Sequence, residues 1–180
     1  MSPFLENIAS LDRVLDTHAA ELGVDFTAYR NHAYRVANLC AALSPCDSRT
    51  LEKVALAAAF HDLGIWTAHT FDYLAPSIDL ACAHLGCAGH EDWRTDISGM
   101  IREHHKVRAY RGSDAELIEP FRRADWIDVS LGLLTFGLPR TRLREILARW
   151  PNAGFHKRLL QLTLRQARAH PLRPLPVLKW

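Results

Sequence analysis

Apolar residues recur along this chain every three or four positions, and strict alternation of apolar and polar residues is nearly absent. The first spacing is typical of amphipathic helices and the second of half-buried strands, so the pattern predicts an all-α protein. The helical segments predicted between turn and capping signals are about 25–43, 47–64, 76–86, 91–105, 114–131, 140–150 and 153–170. We expect a single-domain bundle of about seven or eight helices over residues 1–170, and a proline-containing, non-helical tail at 171–180.

Capping residues and helix breakers set the predicted helix ends. Asp25 is predicted to cap the first segment, and Asp47 or Ser48 the second, because short polar side chains accept hydrogen bonds from the free N–H groups of a first turn. Gly64 is predicted to end the second segment, in the position after a helix that favours glycine. Pro120 is predicted to interrupt its helix or to begin a new one, since proline lacks an N–H.

Composition agrees with a globular domain and excludes several other classes of protein. The chain has 180 residues, 48% of them hydrophobic, and a domain of this size buries about 70% of its unfolded surface without help from disulfides. Its longest apolar run, residues 54–60, is far shorter than the roughly 18 residues of a membrane span. The N-terminal residues show no secretory signal, so we expect a cytoplasmic protein without a membrane partner.

Charge is balanced overall but uneven along the chain. The formal net charge is +2, which demands no polyanionic partner. Residues 140–180 contain ten Lys or Arg and only Glu145 as an acid, yet they carry no nucleic-acid-binding motif. We therefore expect this segment to pair with acidic residues of the same chain, and we predict no nucleic-acid partner. The oligomeric state stays open.

A small set of metal-ligating residue types stands among apolar neighbours. Its members are His32, the adjacent His61 and Asp62, and Asp125. Each alone has an ordinary explanation, as a hydrogen-bonded core histidine or as a carboxylate in a cap or ion pair. Polar groups buried without partners are costly unless they are paired or bound to metal, so the set as a whole indicates a metal site.

The order of these residues resembles the HD-domain superfamily, whose pattern is one His, then a His-Asp doublet, then a downstream Asp. The doublet lies in the sequence Ala-Phe-His-Asp-Leu-Gly, and His32 precedes His61 by 29 residues, which suits two adjacent helices. The resemblance covers about residues 25–135. It implies an all-α bundle, in agreement with the periodicity, and a metal-dependent phosphohydrolase.

The resemblance also implies the parts of the reaction. The metal ligands that it implies are His32, His61, Asp62 and Asp125. Imidazole and carboxylate ligands suit a divalent Mn, Fe, Co, Ni or Zn ion, which activates water for attack on a nucleotide or another small phosphate ester. Asp62 is the candidate general base, because its carboxylate can contact the metal and orient the attacking water.

Three further histidines extend the pattern. His104 and His105 resemble the paired histidines of the HD-GYP phosphodiesterases and related multinuclear HD proteins, and His84 has the position of an additional histidine of those relatives. These three are candidates either for a second metal ion or for hydrogen bonds to the ligands of the first. The Gly-Tyr-Pro signature is missing after the pair, so hydrolysis of cyclic dinucleotides is not expected.

Two cations follow the histidine pair, and two other functions stay open. Lys106 and Arg108 are candidates for binding the phosphate of the substrate, since a loop beside a metal ligand is well placed to reach it. The histidine-rich set also resembles the diiron oxygenases that share the HD fold, and fold alone does not decide the reaction. A non-catalytic module that binds a metal or ligand is the third reading.

Overall fold

The computed structural model describes residues 4–172 and 176–178. This part of the chain contains ten α-helices and no β-strand. The helices are α1 (Ala9–Thr17), α2 (Ala19–Leu22), α3 (Phe26–Leu43), α4 (Ser48–Phe60), α5 (Gly64–Thr67), α6 (Leu74–Ala88), α7 (Arg94–Glu103), α8 (Ala115–Val129), α9 (Arg140–Arg149) and α10 (Phe155–Ala169). Since α2 and α5 are single turns, eight helices have nine or more residues, and the predicted all-α bundle is confirmed.

Helix α3 lies at the centre of the bundle, where it contacts α1, α4, α8, α9 and α10. Its Tyr29, Tyr34 and Leu39 are fully buried, and burial of an aliphatic side chain such as leucine stabilises the fold by about 1.5–3 kcal/mol. Helix α4 contributes the fully buried alanines 57–59, whose small side chains allow close helix packing. Contacts of α3 with α4, α4 with α7, α7 with α8 and α8 with α3 close a ring of four helices.

Two predicted N-caps lie where the sequence places them, but only one acts as a cap. The Asp47 carboxylate accepts a hydrogen bond from the Thr50 backbone N–H at 2.7 Å, as predicted. Asp25 precedes α3 but makes no such bond to its own helix. Its carboxylate instead accepts from the Trp66 indole N–H at 3.0 Å and pairs with Arg158 at 2.9 Å, so it joins distant elements.

Two predicted helix breaks are wrong. Helix α4 ends at Phe60, and Gly64 begins α5 instead of ending α4. A Cβ at Gly64 would lie 2.6 Å from the Tyr73 carbonyl oxygen, so glycine is needed there for close approach to α6. Pro120 lies inside an uninterrupted α8. The packing of α8 on α3 and α7 outweighs the one backbone hydrogen bond that this proline removes.

Helices α1 and α2 lie before the first predicted segment. Leu11, Val14 and Leu15 have the spacing of a helical apolar stripe and are buried, where α1 contacts α3 and α4. A sequence signal for α1 therefore exists in this stripe. None of the helices in the described ranges has both the length and the apolar character that a bilayer crossing requires.

The basic C-terminal part folds back on the bundle. Arg149 pairs with Glu6, and Arg158 with Asp25, which agrees with the predicted intramolecular pairing. Phe155 anchors α10 by stacking on the His32 ring, with the ring centres 3.9 Å apart. Of the predicted tail, residues 171–172 and 176–178 are non-helical as expected, and the remainder lies outside the described residues.

Candidate metal centre

The four-helix ring brings six of the predicted site residues into one buried cluster. They are His32 in the middle of α3, His61 and Asp62 just after α4, His104 and His105 just after α7, and Asp125 within α8. Five of the six side chains are nearly inaccessible to solvent, and that of His105 is 14% exposed. Because α4 and α7 both end at this cluster, each of them contributes two consecutive residues to it.

The HD pattern residues form the first group of ligand atoms. The Nε2 atoms of His32 and His61 are 2.8 Å apart. The nearer Asp62 oxygen, Oδ2, lies 3.7 and 3.6 Å from these two nitrogens, and Asp125 Oδ1 lies 3.6 and 3.8 Å from them. Ligand atoms bound about 2.1 Å from one ion are separated by about 3 to 4 Å. These residues therefore fit a divalent metal ion.

The outer ring nitrogens of two of these histidines are held by hydrogen bonds. His61 Nδ1–H donates to the Ala58 carbonyl oxygen at 2.8 Å. His32 Nδ1–H donates to Asp128 Oδ2 at 2.6 Å. Each Nε2 atom then presents a lone pair to the cluster, which is the arrangement of metal-binding histidines.

Asp128 and Arg35 support the cluster, and neither residue is predicted from the sequence. The Arg35 guanidinium donates to both oxygens of the Asp128 carboxylate, at 2.5 and 2.8 Å, and both side chains are buried. Burial acts to raise the pKa of Asp128, but hydrogen bonds from His32 and Arg35 hold it well below the usual range. Their sequence signal is spacing. Arg35 follows the predicted ligand His32 by three residues, and Asp128 follows Asp125 by three residues, which is about one helical turn.

A second group of ligand atoms lies on the other side of Asp62. Asp62 Oδ1 is 3.3 Å from His104 Nε2, and His104 Nδ1–H donates to the Ile101 carbonyl oxygen at 2.7 Å. His105 Nδ1 lies 3.6 Å from the second oxygen of Asp125. Asp62, His104 and His105 each offer one ligand atom to this group. The carboxylates of Asp62 and Asp125 thus each face both groups.

Several of these inward-facing atoms have no hydrogen-bond partner among the described residues. They are Asp62 Oδ1, His104 Nε2 and both carboxylate oxygens of Asp125. An unsatisfied buried polar group costs about 1–3 kcal/mol, and more if it is charged. A bound cation removes this cost, so the buried His/Asp groups are suited to hold a metal ion.

Burial also shifts the protonation of the cluster. Desolvation lowers the pKa of His61 to about 3, which keeps its ring neutral and able to bind metal. Desolvation raises the pKa of Asp125 to about 7, although the neighbouring histidines oppose it. Burial also acts to raise the pKa of Asp62, but His61 and His104 hold it well below its usual value. Metal binding near neutral pH therefore competes with a proton on Asp125.

A cavity of about 260 Å³ adjoins the cluster. Its polar end is formed by Asp62, Tyr73, His105 and Asp125. The Tyr73 hydroxyl lies 2.6 Å from His105 Nε2, so these two side chains are hydrogen bonded at the cavity wall. The rest of the wall consists of Phe71, Trp126, Val129, Leu159, Leu160, Thr163, Val177 and Leu178.

The structure does not bring His84 to the cluster, in contrast to its predicted role. His84 lies on α6, where its half-buried ring packs on Phe60 with the ring centres 5.4 Å apart. Desolvation is the largest cause that lowers the pKa of His84, followed by the charges of Arg13 and His18. None of these neighbours is a residue of the cluster, so the structure does not support the predicted role of His84 beside the metal.

The predicted phosphate-binding cations also lie outside the cavity wall. The Lys106 backbone carbonyl accepts from Arg122 at 2.9 Å and from the Trp126 indole at 3.1 Å, while its ammonium lies 4.0 Å from Glu103. Arg108 is exposed. The loop follows the histidine pair directly, but neither the Lys106 nor the Arg108 side chain belongs to the described wall of the cavity.

Comparisons with known proteins add no relative to this description. No protein-family model, curated protein or solved structure matches the chain. The fold and the cluster define an all-α protein with buried His/Asp groups that could hold a metal ion. The resemblance of the His-Asp pattern to the HD superfamily stays a prediction.

Proposed function

We propose that this protein is a metal-dependent phosphohydrolase of the HD type, acting on a small phosphate ester. One observation carries the proposal: His32, His61, Asp62 and Asp125 converge from three helical regions with their ligand atoms directed inward, at the end of a cavity. The consecutive helices α3 and α4 and the distant α8 bring four ligands of two types together, and two hydrogen bonds fix the histidine rings. Such preorganisation favours a metal site over an accidental cluster.

The nitrogen and oxygen donors suit Mn, Fe, Co, Ni or Zn. The first ion would be held by the four residues above, and a second by Asp62, His104 and His105. A bound divalent ion supplies Lewis-acid activation of water and of a phosphoryl oxygen. The low dielectric of a buried site also strengthens each electrostatic interaction there.

The chain's own residues supply the remaining chemistry. Asp62 lines the cavity and is the candidate general base, which accepts a proton from the attacking water. Tyr73 and His105 line the same end of the cavity, where the Tyr73 hydroxyl, hydrogen bonded to His105 Nε2, can donate to the leaving oxygen. Trp126 and Leu159 line the apolar side of the cavity.

An HD-fold diiron oxygenase is the second candidate. The observation that favours it is the position of Asp62, whose two oxygens face two separate groups of histidine nitrogens. A carboxylate in this position can join two iron ions. The two candidates differ in their dependence on dioxygen.

Metal content per chain tests both candidates. We expect protein purified without a chelator or affinity tag to contain one or two divalent ions by inductively coupled plasma mass spectrometry. His61→Ala should lose the metal, because it removes a central ligand. His84→Ala is the matched control, since it removes a histidine outside the cluster, and it should keep the metal.

Activity assays then separate the reactions. Phosphate release from a panel of phosphate esters, present in wild type and His84→Ala and absent in His61→Ala, supports the phosphohydrolase. Oxygen-dependent product formation with two irons supports the oxygenase. Absence of metal after reconstitution with each candidate ion would contradict both and leave a binding module.

A further inference from the structure

The cavity beside the cluster has an uneven distribution of polar groups. Its acidic residues, Asp62 and Asp125, lie together with the hydrogen-bonded pair Tyr73 and His105 at the end beside the cluster. The apolar part of the wall combines Trp126 and Val129 of α8 with Phe71 and with aliphatic side chains from two further segments, α10 and residues 177–178. Thr163 carries the one hydroxyl group among the described residues of that apolar part.

No Lys or Arg belongs to the cavity wall in the part of the chain that the structure describes. Arg35, a buried cation near the cluster, is already bound by both oxygens of Asp128. Arg122 is likewise paired with Glu119 and with the Lys106 carbonyl oxygen. Among the described residues, negative charge on a substrate would therefore be compensated only through a metal ion at the cluster end of the cavity.

The cavity is also small. Its volume of about 260 Å³ is below the roughly 300–1,000 Å³ of sites for drug-sized ligands. A nucleotide needs hydrogen-bond partners for its base and sugar, and cations for any second or third phosphate. The described apolar wall supplies Thr163 alone for the first requirement and no residue for the second.

We propose that the substrate is a phosphate monoester of a compact apolar alcohol or phenol, rather than a nucleotide; this inference rests on the proposed function. The phosphoryl group lies at the end formed by Asp62 and Asp125, and the apolar group packs against Trp126, Val129 and Leu159. Water attacks phosphorus, so a new P–O bond forms and the ester P–O bond breaks. The leaving oxygen receives one proton, and the products are inorganic phosphate and the alcohol or phenol.

Substrate preference in the metal-loaded full chain tests the inference. We expect the kcat/KM for phenyl phosphate to exceed that for adenosine monophosphate by at least about tenfold, because apolar contacts are made by the first substrate alone. Faster turnover of the nucleotide would overturn the inference and leave the phosphohydrolase intact. Turnover of neither substrate would count against the proposed function.

If the protein turns over neither substrate, ligand binding still tests the inference. Calorimetry of the metal-loaded protein compares benzylphosphonate with methylphosphonate, which differ by one phenyl ring and cannot be hydrolysed at the P–C bond. We expect benzylphosphonate to bind at least about tenfold more tightly. Equal affinities would overturn the inference whether or not the protein is a hydrolase.

Two leucines one helical turn apart on α10 provide a matched pair of variants. Leu160 and Leu164 are 59% and 47% exposed, so arginine is tolerated at both positions, but only Leu160 lines the cavity. We expect Leu160→Arg to lower the kcat/KM for phenyl phosphate by about tenfold, and to reduce its preference over the nucleotide. Leu164→Arg should leave both unchanged. Equal effects of the two variants would overturn the assignment of the cavity.

Discussion

At the scale of single residues, the candidate centre depends on groups that hold its ligands as well as on the ligands. Asp128 accepts the Nδ1–H of His32 and is itself fixed by two hydrogen bonds from Arg35. The arrangement directs the Nε2 lone pair of His32 to the cluster. The sequence predicts His32 as a ligand, whereas the hydrogen bond that supports it depends on the packing of α3 on α8.

Asp128→Asn tests this support. The amide presents no negative charge to His32, so we expect metal affinity to fall by about 10–100-fold. Competition with a chromophoric chelator measures the change. Asp92→Asn, which alters an exposed carboxylate paired with Arg49, is the control and should bind metal as wild type does. Wild-type affinity in Asp128→Asn would show that the hydrogen bond to His32 does not support the site.

At the scale of helices and loops, short connections place the ligands. The single turn α5 follows directly after the His-Asp doublet and packs against α6. The approach is so close that a Cβ at Gly64 would lie 2.6 Å from the Tyr73 carbonyl oxygen and 2.9 Å from Ser77 Oγ. The backbone N–H of Gly64 also donates to Ser77 Oγ at 2.9 Å.

We expect Gly64→Ala to destabilise the protein by about 1–3 kcal/mol, because the backbone oxygen of Tyr73 cannot move aside without shifting α6. Urea unfolding measures the change. Gly86→Ala, within α6, is the matched control, since its Cβ would meet only the ends of two flexible side chains, Arg94 at 3.0 Å and Glu91 at 3.7 Å. Helix propensity favours alanine there, so this control should be neutral or stabilising by up to about 1 kcal/mol. Equal destabilisation by both variants would contradict the close-approach argument.

The loop after the histidine pair is held by Glu119 on α8. Its carboxylate accepts from the Tyr110 backbone N–H at 2.8 Å and from the Arg122 and Arg123 guanidinium groups at 2.7 Å. Burial acts to raise the pKa of Glu119, but these donors lower it from 4.5 to about 2. The sequence predicts that Lys106 and Arg108 of this loop bind phosphate. In the structure, the carboxylate of Glu119 connects the loop to α8.

A lowered pKa gives Glu119 a pH-dependent contribution to stability. The contribution is complete above the unfolded pKa of 4.5 and is lost as the pH falls toward about 2. The difference in unfolding free energy between wild type and Glu119→Gln should therefore shrink over this interval. Urea unfolding at pH 7, 4 and 3 measures it, with the partly exposed Glu145→Gln as the control. A difference that does not depend on pH would refute the ionic role of Glu119.

At the scale of the whole molecule, metal binding should couple to folding. Two pairs of helices, α3 with α4 and α7 with α8, meet at the cluster from separate parts of the sequence, so the complete site exists only in the folded chain. Buried carboxylate oxygens of Asp62 and Asp125 have no hydrogen-bond partner among the described residues. A ligand that binds the folded state alone stabilises that state.

We therefore expect a divalent ion to raise the Tm of chelator-treated protein. At a concentration of 100 times Kd the gain is about 2.7 kcal/mol, which corresponds to roughly 5–10 °C for a domain of this size. Differential scanning fluorimetry with Mn, Fe, Co, Ni and Zn measures the shift. His61→Ala should show none, and a shift of equal size in that variant would place the binding elsewhere.

Apolar periodicity and residue order are enough to predict the fold class of this protein and much of its candidate site. Apolar spacing predicted the all-α bundle, and the order of His32, the His-Asp doublet and Asp125 predicted residues that meet in space. The apolar spacing is a property of each helical segment, and the His-Asp pattern is a property of residue order along the chain. Neither prediction requires knowledge of how the helices pack.

Only the tertiary structure decided which candidates share a site and what surrounds them. Spacing made His84 as good a candidate as His104, but α6 turns His84 toward Phe60 while α7 ends at the cluster. The pairing of Arg35 with Asp128 and the apolar cavity likewise depend on contacts between distant elements. The physical reason is that sequence fixes the periodic face of each helix, whereas the direction of a particular side chain depends on how the helices pack.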